Sequence, residues 1–126
     1  DSLAEGQSSH AEGYFTTASG GYSHAEGNNT ISSGNYQHVQ GQFNVTSSIP
    51  GAFIHGNGTD YSNRSNLIFA HDNVVEITGS LNVKDIISLA LRTTTPTGVE
   101  GMIIASGSAG ASKLYYYNGN TWNALF

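Results

Sequence analysis

The sequence predicts an all-β chain, a β-roll or β-solenoid of 14-residue coils followed by a small β tip. Three observations carry that reading. Glycine returns every seventh residue at Gly6, Gly13, Gly20, Gly27, Gly34 and Gly41. The residues between the glycines alternate small and polar types with a period of two, as a strand requires. From Ser80 onward the pattern changes to larger alternating hydrophobics and ends on an Asn118-Gly119 hairpin signal.

The glycine ladder is read first. Two positions before each glycine stand Ala4, Ala11, Ala18, Ala25, Ser32 and Val39, and four before it Ser2, Ser9, Thr16, Ser23, Thr30 and Gln37. Heptads of the type Ser9-His10-Ala11-Glu12-Gly13 alternate with heptads such as Thr16-Thr17-Ala18-Ser19-Gly20, so the full repeat is 14 residues. A coiled coil would need large apolar residues at two heptad positions, and a glycine in every heptad weakens any helix. A strand of about five residues followed by a glycine turn satisfies the same period, because glycine accepts positive φ without steric cost. Two such strands make one coil. The Ser/Thr and Ala positions then share the inner face, and His and Glu share the outer one. Coils stack about 4.8 Å apart, so His10, His24 and His38 are expected to form a column.

Composition sets the limits on function. Gly, Ser, Thr and Asn dominate the 126 residues, only 10% are charged, and the net charge is -5. The four Lys and Arg residues leave nothing from which to build a nucleic-acid surface. Without cysteine there is no disulfide framework or thiolate metal site. No apolar run reaches the roughly 18 residues of a membrane span, so membrane insertion is not expected. An Asp at position 1 leads us to expect a fragment or a processed product. Ala and Ser bury little apolar area each, which predicts that coils gain stability from neighbouring chains.

At these residues the chain resembles known families. The Ser-His-Ala-Glu-Gly heptads at residues 9–13 and 23–27, with Gln-His-Val-Gln-Gly at 37–41, are similar to the head repeats of trimeric autotransporter adhesins. They are more similar still to repeats in bacteriophage tail-fibre and receptor-binding proteins. The resemblance covers residues 2 to about 58 and implies a homotrimeric β-roll on a virion, or on a bacterial surface in the alternative. Here Glu or Ser, where the adhesin heads carry an aliphatic residue, precedes the glycine.

Beyond the ladder, Asn44 to Gly51 reads as an insertion with Pro50 stopping strand pairing. Val39, Phe43, Phe53 and Ile54 are expected to cap the roll, giving residues 1–58 as the repetitive unit with its cap. Residues 59–79 form a transition: a polar linker, then strands at Leu67–Ala70 and Val74–Ile77. Residues 80–126 form the tip. Leu81, Val83, Ile87, Leu89 and Leu91 are expected on one strand face, followed by strands at 100–105, 113–117 and 121–125. The pattern Glu100-Gly101-Met102, Leu114-Tyr115, Tyr117-Asn118-Gly119 and Trp122 resembles the C-terminal tips of phage fibre proteins. Both resemblances in one chain favour phage fibre, since the autotransporter family would require a coiled-coil stalk and anchor downstream.

Ser, His and Glu in each repeat invite a catalytic reading. Ser9 and His10 fall on opposite faces of one strand, however, so a triad cannot assemble, and a non-enzymatic role without cofactor is expected. No metal site is assigned. His55 and His71 are the only histidines considered for an ion on a threefold axis, and the histidines as a group are expected to hydrogen-bond or face solvent. The tip supplies the binding candidates: Ser106, Ser108, Ser112, Tyr115, Tyr117, Asn118, Asn120 and Trp122. Aromatic rings stack on sugar faces and loops present polar contacts, which points to a cell-surface polysaccharide or protein as partner.

Overall fold

A computed structural model describes residues 1–107 and 112–126 of the chain. Among the described residues there is no helix, hence none able to cross a membrane. The chain divides into two compact units, Asp1–Leu81 and Asn82–Phe126.

The first unit is the expected solenoid. Three coils each contribute a two-residue strand and a five-residue strand: β1 (Leu3–Ala4) with β2 (His10–Tyr14), β3 (Thr17–Ala18) with β4 (His24–Asn28), and β5 (Ile31–Ser32) with β6 (His38–Gln42). The short strands stack in parallel as one sheet, β1-β3-β5, with Leu3 beside Thr17 and Thr17 beside Ile31. The longer strands form the other sheet, with His10, His24 and His38 in register. That sheet continues through β7 (Phe53–Asn57), parallel to β6, and then through the antiparallel β8 (Asn66–His71) and β9 (Val74–Ile77).

The inner face holds the predicted residues. Thr16, Ala18, Ser23, Ala25, Thr30, Ser32, Gln37, Val39 and Ile54 are buried. The small side chains make a thin interior that fills only where Val39, Ala52 and Ile54 cluster with Ile49 and Phe69. Of the four expected capping residues, Val39 and Ile54 do cap. Phe53 instead points outward against His38, because alternation from buried Ile54 places it on the solvent side, and Phe43, at a left-handed corner beyond the end of β6, packs edge-on to Tyr61.

The glycines share the turning with the residue two positions on: Gly13, Gly27 and Gly41 take the expected positive φ, at 114°, 111° and 94°. Gly13, Gly27 and Gly41 lie within β2, β4 and β6, and the left-handed corner falls two residues later. Ser8, Phe15, Tyr22, Asn29, Tyr36 and Phe43 all have φ between 40° and 59°, one every seventh residue. Such a conformation costs a side-chain-bearing residue about 1–2 kcal/mol. Its return is a change of hydrogen-bond direction. Strand N–H groups donate forward to the next coil, as from His10 to Ser23 O and His24 to Gln37 O. Corner N–H groups donate backward, from Tyr22 to Gln7 O, Asn29 to Tyr14 O, Tyr36 to Gly21 O and Phe43 to Asn28 O, at 2.7–3.0 Å. Glycine is needed for a second reason. A Cβ on Gly6, Gly13, Gly20 or Gly27 would overlap the carbonyl oxygen of the equivalent glycine in the next coil. At Gly34 the same space is filled by the Gln37 side chain, and at Gly41 by Gly56 O.

The insertion is tied in by amide side chains that stand where a coil's backbone would be. Asn44, one period after Thr30, is fully buried. Its Oδ1 accepts from Ile31 N at 2.8 Å and its Nδ2 donates to Ile31 O at 3.0 Å, closing the edge of the β1-β3-β5 sheet. Gln37 occupies the Ser9 and Ser23 position. Its Nε2 donates to Ser47 O and Ile49 O, and its Oε1 accepts from Gly34 N. Residues 59–65 fold back rather than linking freely. Asp60 Oδ1 accepts from Ser62 N and Asn63 N, while Arg64 Nη1 donates to Asn29 O and Asn44 O.

In the second unit, the expected strand across Leu81 to Leu91 is not formed. Residues 82–90 are irregular, and the strand β10 contains only Leu91–Arg92. Asp85 and Ile86 interrupt the alternation, and a single edge has nothing to hold a longer strand. β11 (Ile103–Ser106), β12 (Lys113–Tyr117) and β13 (Trp122–Ala124) complete a sheet in the order β10-β11-β12-β13. The first of these begins later than expected because Gly101, at φ 88°, turns the chain before it. β12 and β13 are the expected hairpin. Its loop is the four residues Asn118–Thr121, held by Asn118 Oδ1 accepting from Asn120 N and Thr121 N.

Two outcomes follow. Asn44→Ala leaves both backbone groups of half-buried Ile31 without partners and lowers unfolding free energy by about 1–3 kcal/mol, read from denaturant melts. In hydrogen exchange, the amides of Tyr22 and Tyr36 are protected like strand amides although they stand on exposed corners; rapid exchange there would contradict the backward ladder.

Candidate functional site

Two surfaces carry chemistry, one on each unit. On the solenoid, strand alternation sends His10, Glu12, His24, Glu26 and His38 to the outer face of the β2-β4-β6 sheet. The imidazoles form the predicted column, with ring centroids 4.9 Å apart between His10 and His24 and 4.7 Å between His24 and His38. Carboxylates stand beside them. Glu12 lies 3.6 Å from His10 Nε2 and 3.8 Å from His24 Nε2, and Glu26 lies 3.5 Å from His38 Nε2. An open groove of about 580 Å³ runs along this face, lined by Glu12, Glu26, Gln40 and His55 over Gly13, Gly27 and Gly41. Ser23 is on the opposite, buried face, where its Oγ donates to Gly20 O at 2.7 Å. The serines of the repeat thus brace the coil and do not meet the histidines.

The two histidines considered for an axial ion are already engaged. His55 Nδ1 lies 3.1 Å from Gln40 Nε2. His71 packs on Phe69, with Nδ1 3.1 Å from Asp72 and Nε2 3.6 Å from Glu76.

In the tip, pairing of Ile104 with Tyr115 and of Tyr117 with Trp122 puts these four on one face of the sheet. Ile104 is buried; Tyr115, Tyr117 and Trp122 are half-buried, and the Tyr117 and Trp122 rings lie 5.3 Å apart. Trp122 Nε1 donates to Pro96 O at 3.3 Å. A small pocket of about 170 Å³ opens between Thr95, Ile104, Ser106, Tyr115 and Trp122. The structure therefore brings together Ser106, Tyr115, Tyr117 and Trp122 from the sequence-derived set. Asn118 and Asn120 lie apart from them in the hairpin loop, where Asn118 serves the turn, and Ser112 is exposed. Ser108 lies outside the described residues.

The opposite face of the tip was missed in the sequence as a surface. Ile86, Ile87, Leu89, Ile103 and Leu114 line an apolar groove of about 610 Å³. Ile86 is 77% exposed and Ile87 64%. The signal was present in the run Asp85-Ile86-Ile87, whose adjacent large residues fit no single strand face.

The partners of His71 favour its charged form: the hydrogen bond to Asp72, helped by the nearby Glu76 carboxylate, outweighs desolvation and raises its pKa above the ordinary 6.5. A raised folded-state pKa stabilises the hairpin below the unfolded value, and that contribution disappears as pH rises through the folded midpoint. An NMR titration of the His71 ring is expected to give a midpoint above 6.5, and Asp72→Asn to bring it down.

No protein-family model, no curated protein and no solved structure matches this chain, so the geometry above is what any functional reading has to rest on.

Proposed function

We propose that this chain is a segment of a homotrimeric bacteriophage tail fibre that serves in non-enzymatic, multivalent attachment to a cell-surface polysaccharide or protein. The observation that carries the reading is the apolar surface of the second unit. Ile104 is its one buried hydrophobic among the described residues, while Ile86, Ile87, Leu89 and Ile103 are exposed and line one apolar groove with Leu114. An apolar groove of this kind is covered by a partner in solution. Three copies of the same chain supply that cover and present three equivalent tips, so weak contacts gain through high local concentration.

The charge pattern supports an extracellular partner. The outer columns are His, Glu and Gln, with no basic surface for nucleic acid. The Ser106, Tyr115 and Trp122 pocket offers an aromatic wall and hydroxyl groups, which suits a saccharide edge.

Light scattering is expected to give a particle of three times 13.3 kDa. A monodisperse species at the monomer mass would overturn the trimer. On a glycan array, Tyr115→Ala and Trp122→Ala are expected to remove binding while the trimer persists. Retained binding in both variants would move receptor contact away from the tip and leave it as a trimerisation clamp.

A further inference from the structure

We propose that His10, Glu12 and His24 form a binding site for one divalent transition-metal ion, with Zn²⁺ as the best-fitting species. The ligand atoms are two imidazole nitrogens and one carboxylate, all within 4.8 Å of one another. This donor set suits a borderline cation and not calcium or magnesium, which take oxygen ligands.

The spacing points the same way. Glu12 divides its oxygens, Oε2 facing His10 Nε2 at 3.6 Å and Oε1 facing His24 Nε2 at 3.8 Å. Both separations exceed the 2.7–3.2 Å of a nitrogen–oxygen hydrogen bond. They lie near the edge of a tetrahedron with metal–ligand bonds of about 2.0–2.1 Å, which is roughly 3.3–3.4 Å. His24 Nε2 is itself buried and has no hydrogen-bond partner, although the ring is partly exposed. A sheltered imidazole nitrogen aimed at a carboxylate without bonding to it is a ligand atom left open. Rotation of the three side chains, whose ligand atoms stand within 4.8 Å of one another, closes the set, and solvent completes the tetrahedron.

The repeat limits the site to one ion per chain. His38 and Glu26 approach at 3.5 Å on the next rung, but His24 Nε2 is directed to Glu12 and can serve only one ion. On the third rung Gln40 replaces the carboxylate and His55 is bonded to it. The strand register holds the ligands in place without help from any loop. His10 pairs with His24 and Glu12 with Glu26, so the backbone ladder sets the distance between the two imidazoles.

The test is calorimetric titration of the intact chain with Zn²⁺ near neutral pH, alongside NMR of the histidine rings. One saturable site per chain is expected, with the His10 and His24 resonances moving together and those of His55 and His71 staying still. Affinity is expected to fall as pH is lowered, since ligand imidazoles must be deprotonated. Glu12→Gln is expected to weaken binding by more than the roughly tenfold that loss of an outer-shell partner costs, and His24→Gln to abolish it. Glu26→Gln is expected to leave it unchanged. Zinc should also raise the melting temperature of the wild-type chain and not that of His24→Gln. Absence of saturable binding, or binding that His24→Gln leaves intact, would overturn the proposal. The NMR mapping on wild-type protein reads the same point should a variant fail to fold.

Discussion

The closeness with which one coil's backbone sits on the next governs everything else in the first unit. Carbonyl oxygens of Gly20, Gly27 and Gly34 occupy the space that a side chain on Gly6, Gly13 or Gly20 would need. That approach lets N–H and C=O groups of adjacent coils pair continuously, and a solenoid with so little apolar interior depends on that pairing. The left-handed corners belong to the same constraint. They turn N–H groups at Tyr22, Asn29 and Tyr36 toward the preceding coil, whereas strand groups face the following one.

Where the repeat is interrupted, side-chain amides take over the backbone's role. Asn44 bonds both groups of Ile31, and Asn66 does the same for Val45, with Oδ1 accepting from Val45 N and Nδ2 donating to Val45 O. Gln37 replaces a serine at the coil that meets the insertion, because only a longer side chain reaches the carbonyls of Ser47 and Ile49. Deviations from the repeat thus mark places where a coil must bond to something other than another coil. The solenoid's outer face follows from the same stacking: a ladder that brings Cα atoms into register necessarily builds columns of His and Glu, and with them the convergent nitrogens and carboxylate at the first rung.

Much of this was legible in the residues. The 14-residue coil, the two faces of the strand, the histidine column and the β12–β13 hairpin all follow from period-two alternation and from glycine spacing, which are local properties. The aromatic face of the tip was legible for the same reason, as Tyr115 and Tyr117 must share a side. Less visible was the division of labour between glycine and the residue two positions after it. A bulky residue such as Phe15 or Tyr36 is a poor sequence signal for a left-handed corner, and only the position of the neighbouring coil's carbonyl makes that conformation worthwhile. Residues 82–90 show the reverse case: alternation on either side of Asp85 and Ile86 suggested a strand, but the break there and the lack of a partner edge leave the segment irregular.

Periodic chemistry along the chain was therefore enough to establish an all-β repeat with small residues inside and His and Glu outside. The folded chain added what depends on distance between coils: that glycines admit a neighbouring backbone, that Asn44 closes a sheet edge, and that Glu12 stands between two imidazoles and not beside one. Alternation says which side of a strand a residue occupies. The separation of side chains from different coils is set by the hydrogen-bond register, and register is a property of the stack.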